Sequence, residues 1–271
     1  MPVFNFRQPF ALQVEFLKAK LQLPTQRWDD IWQSAHDRAF VVAGAAKADL
    51  LSDLHQAVIR AVEEGRGIED FRKEFKAIVA KNGWTSWAGE GTAAGEAWRT
   101  RVIYQTNMAT SYAAGRFAQL SDPDLLSIRP YWKYHHLDGV LHPRPLHVSW
   151  DGLVLPHDDP FWKTHYPPNG WGCHCWVTAA SKADYEKAIN AGKATPPAGW
   201  DALDIKTGAP TGIDRGWAYA PGATTAEDLL KFVADKITRL PPAVATEFEA
   251  SVNTELENTN PANQSGNGAE Q

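Results

Sequence analysis

Apolar residues recur every three to four positions through the first third of the chain. Leu50, Leu51, Leu54, Val58 and Val62 form one stripe with the i, i+4 spacing of a helix face, and Gly65 is placed to end it. A second stripe at Ile68, Phe71, Phe75, Ile78 and Val79 closes at Asn82-Gly83. Ahead of these, residues 9–22 set Leu12, Phe16 and Leu17 before Pro24, and residues 28–40 (Trp28, Ile31, Trp32, Ala35, Phe40) predict a further helix. Residues 1–83 thus read as a helical N-terminal region. Gly, Ala and Thr dominate residues 84–95, a linker composition. A long helix is predicted over 96–120, with Trp98, Val102, Ala109, Tyr112 and Ala113 on one side and Ser121-Asp122-Pro123-Asp124 as its stop.

The pattern then changes from helical spacing to short apolar runs among prolines and histidines. Residues 132–134, 148–150 and 153–155 are strand candidates, and Asp138-Gly139 and Asp151-Gly152 are turn dipeptides suited to hairpins. A short helix is expected over 181–191, followed by a stretch punctuated by Pro196-Pro197, Pro210, Gly216-Trp217 and Pro221-Gly222. Thr224 to Glu227 has capping-box spacing ahead of Leu229, Leu230, Val233 and Ile237. From about residue 251 almost nothing can be buried, so a disordered polar tail is expected over 251–271. The expected architecture is α+β: helices over 1–83, a small irregular β-containing His/Cys-rich module over 96–180, and a loop-rich region with one helix over 181–250.

Composition narrows the function classes. The 271 residues are 44% hydrophobic and 22% charged, ordinary for a globular protein, and no apolar run is long enough to span a bilayer, so no membrane partner is expected. The N-terminus lacks a basic region followed by an apolar one, which argues against a signal peptide. A net charge of -5 gives no general support for binding a nucleic-acid backbone. Small basic clusters, such as Arg99 with Arg101 and Arg129 with Lys133, read as solvated faces. The two cysteines, one residue apart, make a poor structural disulfide and fit a reducing cytoplasm.

Residues 135–175 hold seven of the nine histidines and both cysteines, with Trp132, Trp150, Trp162, Trp171 and Trp176 close by. Imidazole and thiolate are the ligands of borderline-soft metals, and four of them close a structural zinc site. Cys173 and Cys175 lead the candidates, since in an extended segment both sulfurs face one way. His147 is the third, brought back by the turn at Asp151-Gly152. The fourth is sought among His136, His142, His174 and the oxygen ligand Asp138, with His136 preferred. The bland alternative is a hydrogen-bonded polar core with buried thiols. A metal-dependent nuclease or hydrolase acting on DNA would use His135-His136, Asp138 and His142, but Pro143 and Pro145 stiffen the stretch where a hairpin strand would run. Neither a G-x-S-x-G elbow nor a phosphate-binding glycine loop occurs, so no enzymatic reaction is expected.

Three stretches together resemble the minor head proteins similar to protein F of bacteriophage Mu. They are the helix carrying Tyr104, Asn107, Met108, Tyr112, Gly115 and Arg116; the order Asp138, Arg144, His147, Asp151-Gly152; and PPNGWGCHCWV, a proline pair leading to C-x-C. His174 stands where that family often has Arg. The resemblance implies a low-copy structural component of the virion head near the portal vertex, made in the host cytoplasm. The portal protein is its implied partner, with the major capsid protein and packaged DNA as further candidates. The resemblance implies no enzymatic reaction.

Overall fold

The computed structural model describes residues 9–27, 29 and 33–224, together with 231, 234, 237, 238, 246 and 249. The fold is α+β. Helices α1 (Ala11–Lys18), α3 (Ala48–Glu63), α4 (Ile68–Asn82) and the first part of α5 (Ala93–Leu120) enclose one core. The α3 stripe is buried throughout, from Leu50 to Val62, and α4 contributes Phe71, Phe75 and Ile78. Gly83, at φ 58°, takes the left-handed cap that the Asn-Gly pair implied. Where α1 crosses α5, a Cβ on Gly115 would stand 2.6 Å from the Phe10 ring, so only glycine permits that approach.

Several details differ from the sequence reading. The 84–95 stretch is more than a linker: Trp84 and Trp87 are buried against Phe75 at 6.1 and 5.4 Å between ring centroids, because two indoles outweigh the flexibility of the surrounding glycines. In α5, Trp98 and Tyr112 are half exposed, while Arg99, Thr100, Ile103 and Thr110 face inward. Thus Arg99 is not on a solvated face. Within 28–40 the described helix is only α2 (Ala35–Arg38), and Ala39–Phe40 forms β2, which pairs in parallel with β1 (Leu21–Gln22). Residues 28 and 30–32 lie outside the described residues, as do the helix proposed beyond Thr224 (apart from isolated positions) and the polar tail.

The second core is built on a three-stranded antiparallel sheet of order β4-β3-β5, from β3 (Tyr131–His135), β4 (Val154–Pro156) and β5 (Trp176–Ala180). Short helices α6 (Pro123–Ile128), α7 (Pro145–Trp150), α8 (Phe161–His165) and α9 (Lys182–Asn190) surround it. The run 148–150 is therefore helical, not a strand: Pro145 at the first turn presets the backbone, and His147 and Trp150, three apart, share the buried face. With α7 between them, β3 and β4 are not joined by a tight hairpin. Ser181 and Asp184 form the capping box that opens α9. Among the described residues no helix is long and apolar enough to cross a membrane.

One buried histidine gives the first core a pH dependence. The Nε2–H of His55 donates to the Leu17 carbonyl and its Nδ1 accepts from Gln22, so the neutral ring uses both nitrogens. Burial holds its pKa down to about 4. A depressed pKa stabilises the fold above the unfolded value and loses that contribution as pH falls through the folded one. Stability should accordingly drop by about 3 kcal/mol between about pH 6.5 and 4. Urea unfolding across that range measures it, and His55→Gln should flatten the curve.

Candidate metal centre

Three elements converge at one end of the second core. The α7 helix presents His147, the loop entering β5 presents Cys173 and Cys175, and the residue after β3 is His136. The donor atoms of His147, Cys173 and Cys175 all lie within 4.8 Å of one another. His147 Nδ1 is 3.6 Å from Cys173 Sγ and 3.7 Å from Cys175 Sγ, and His136 Nδ1 is 3.5 Å from Cys175 Sγ. A tetrahedral ion with bonds of about 2.3 Å to sulfur and about 2.0 Å to nitrogen sets its sulfur–nitrogen edges near 3.6 Å. The spacing therefore suits a metal ion as well as it suits thiol hydrogen bonds.

Surrounding contacts prepare the donors. His147 is buried, and its Nε2 lies 2.9 Å from the Gly212 carbonyl, which can only accept; the proton sits on Nε2 and Nδ1 is left bare toward the sulfurs. Its ring stacks on Trp150 at 5.0 Å. The Asp151 carboxylate accepts from the His136 backbone N–H at 2.8 Å, fixing the start of that loop. Backbone N–H groups of Asn169 and Leu137 donate to the Cys173 and Cys175 sulfurs. Cys173 is pulled down to about 4, chiefly by the hydrogen bond from Cys175, and Cys175 is pushed up because it keeps the shared proton beside a thiolate. A divalent cation removes that conflict, since it stabilises both thiolates at once.

The knuckle loop is tied down by residues distant in sequence. Arg144 donates to the Trp171 carbonyl at 3.0 Å and to Asp214 at 2.7 Å, and the same Asp214 oxygen accepts from the Trp171 N–H at 3.0 Å. Asp214 in turn donates its backbone N–H to the Asn169 carbonyl. Gly170 has no room for a side chain between Arg144 and Asp214. Sequence reasoning missed Asp214 and Gly212, and nothing local to them announces the role. Asn169 and Gly170 stood inside PPNGWG, where the motif was the signal.

The remaining candidates are not in the donor cluster, although His142 and His174 border the same small cavity as the donors. His174 and His142 are exposed, as is Asp138. The outward direction of His174 matches its place between two cysteines that face inward. His135 stacks on Trp176 at 5.0 Å and bonds Thr178, and His165 is buried in the core with its Nε2–H toward the Thr211 carbonyl. His147, Cys173 and Cys175 thus meet at one point and His136 reaches Cys175, while His142 borders the same small cavity without joining the cluster and Asp138 is exposed.

Residues 52–178 match the family model described as Phage Mu protein F like protein. The chain is 38% identical over 188 residues to a protein of Escherichia phage Mu named as a capsid assembly protein F, a match covering 65% of this chain and 42% of the relative. It is 36% identical over 162 residues to the Mu-like prophage FluMu F protein of Haemophilus influenzae, covering 58% of this chain and 38% of that one. The chain thus spans about two fifths of the length of these curated relatives. No solved structure matches it. The resemblance drawn from its motifs is borne out, and the metal-centre residues fall inside the matched segment.

Proposed function

We propose, from the likeness of residues 52–178 to the phage Mu protein F family, that this chain is a structural component of a tailed-phage head and acts in head assembly. On this reading it resides in the virion head near the portal vertex, after synthesis in the host cytoplasm. The portal protein is its main partner, and the major capsid protein and packaged DNA are further ones. His147, Cys173, Cys175 and His136 would hold a zinc ion, whose contribution is structural: four protein donors close the coordination sphere and pin loops that carry little regular structure. The single observation that carries the role is the identity to a capsid assembly protein across the segment containing the metal centre.

The apolar N-terminal residues Phe4, Phe6, Phe10 and Phe16 are the proposed portal anchors, since docking in a groove requires a few large apolar side chains. Replacing Phe4 and Phe6 by Ser, which leaves α1 intact, is expected to weaken co-purification with the portal protein; undiminished association removes that partner. In the head, His147→Ala is expected to lower incorporation together with stability. A well-folded His147→Ala protein that still assembles, while an activity on DNA disappears, would instead favour the hydrolase.

A further inference from the structure

Between α5, residues 41–43 and the loop at 215–219 lies an open cavity of about 110 Å³. Its walls are mainly apolar, with Val102, Ile103 and Trp217 prominent, and Arg99 is among the lining residues. Arg99 is only 6% exposed. One terminal nitrogen donates to the Ala43 carbonyl and the group lies over the Trp84 ring at 5.7 Å, but its Nε finds no hydrogen-bond partner among the described residues.

The other cations lining the cavity have a carboxylate in their surroundings. Lys20 donates to the His36 carbonyl and is attracted by the buried Asp37 carboxylate, whose Oδ2 accepts from the Gly222 backbone and the Thr224 hydroxyl. Arg215 lies 3.9 Å from Asp29. Arg99 has no ion pair among the described residues, so one positive charge is left unmet in a place where burial makes it costly. A guanidinium edge is matched by a planar carboxylate, and a single unmet charge calls for a monoanion rather than a phosphate dianion. The apolar walls call for a stem that water would rather expel.

We propose that this cavity binds a carboxylate carried on an apolar stem, with Arg99 meeting the charge and Val102, Ile103 and Trp217 enclosing the stem. The carboxylate is supplied either by a free aliphatic acid or by the C-terminal residue of a peptide ending in a leucine-like side chain. The site shares no donor with the metal centre, but Trp171, from the loop that carries Cys173, packs on Trp217 and forms part of its wall.

Isothermal titration of the full chain tests this with octanoate, octanol, inorganic phosphate, and acetyl-Ala-Leu as acid and as amide. Octanoate or the peptide acid is expected to saturate below about 1 mM, with octanol, phosphate and the peptide amide at least about tenfold weaker. Binding by octanoate alone identifies a free acid as the source, and binding by the peptide acid alone identifies a chain terminus. Arg99→Met should weaken the bound acid about tenfold or more. Because loss of Arg99 can also disturb α5, Val102→Trp provides a second test: it fills the cavity, and should abolish binding while the far-ultraviolet circular dichroism stays that of the parent. Equal binding of octanol and octanoate overturns the proposal. So does undiminished acid binding by folded Arg99→Met or Val102→Trp, or failure of both acids to saturate by about 1 mM.

Discussion

Purified without chelator, the chain is expected to carry about one equivalent of zinc, and Cys173→Ser less than about 0.2. The substitution removes one donor from the His147, Cys173 and Cys175 group and leaves one thiol, one imidazole and the proposed fourth donor His136. Structural zinc supplies about 10–16 kcal/mol to small domains that fold only around it. Here an aromatic core stands behind the metal, so a smaller share is expected, about 4 kcal/mol. That is still a large part of the about 5–15 kcal/mol that holds a typical protein folded. It should appear as a fall of about 10 °C in the unfolding midpoint, reproduced when the parent is treated with chelator. If parent and Cys173→Ser both lack zinc and unfold together, the thiols and imidazoles are a hydrogen-bonded polar core and no more.

Trp150→Ala is expected to cost about 4 kcal/mol, the range for deleting a large buried ring. Trp150 is 2% exposed and stands at the centre of the second core: Tyr134 and Phe161 meet it edge-on at 5.7 and 5.8 Å, His165 at 4.9 Å, and His147 stacks on its face. Gly212 lies so close that an added Cβ would be 2.5 Å from the ring, and its φ of 86° already favours glycine. The indole thus packs against the residue whose carbonyl orients His147. Loss of the ring should therefore also weaken zinc by about tenfold to a hundredfold, the usual effect of removing support behind a ligand. Denaturant unfolding and competitive zinc titration measure the two consequences separately. Trp150→Phe, which keeps an aromatic face, should recover most of both. Full zinc affinity in a destabilised Trp150→Ala protein would separate the core from the metal centre.

The periodic stripes of α3 and α4 were legible because each helix buries a single face, and the spacing records that geometry directly. The crowding of histidines with the C-x-C pair likewise identified the donor types from composition alone. Short elements were not legible in this way. Two-residue strands such as β1 and β2 carry no period, and residues 148–150 suit a strand by propensity until Pro145 and the inward pull of His147 and Trp150 make a helical turn. Arg99 looked like a surface charge because its sign is visible in the sequence and its burial is not.

The amino-acid order by itself determined the buried faces of α3 and α4, the α+β class, the family likeness and the supply of soft ligands. Only the tertiary structure decided which donors meet. His147 and Cys173 are 26 residues apart, and the Gly212 carbonyl that orients the imidazole lies 65 residues beyond His147. Such contacts are fixed by closing long loops onto a packed aromatic core, a collective gain in burial that no local stretch encodes.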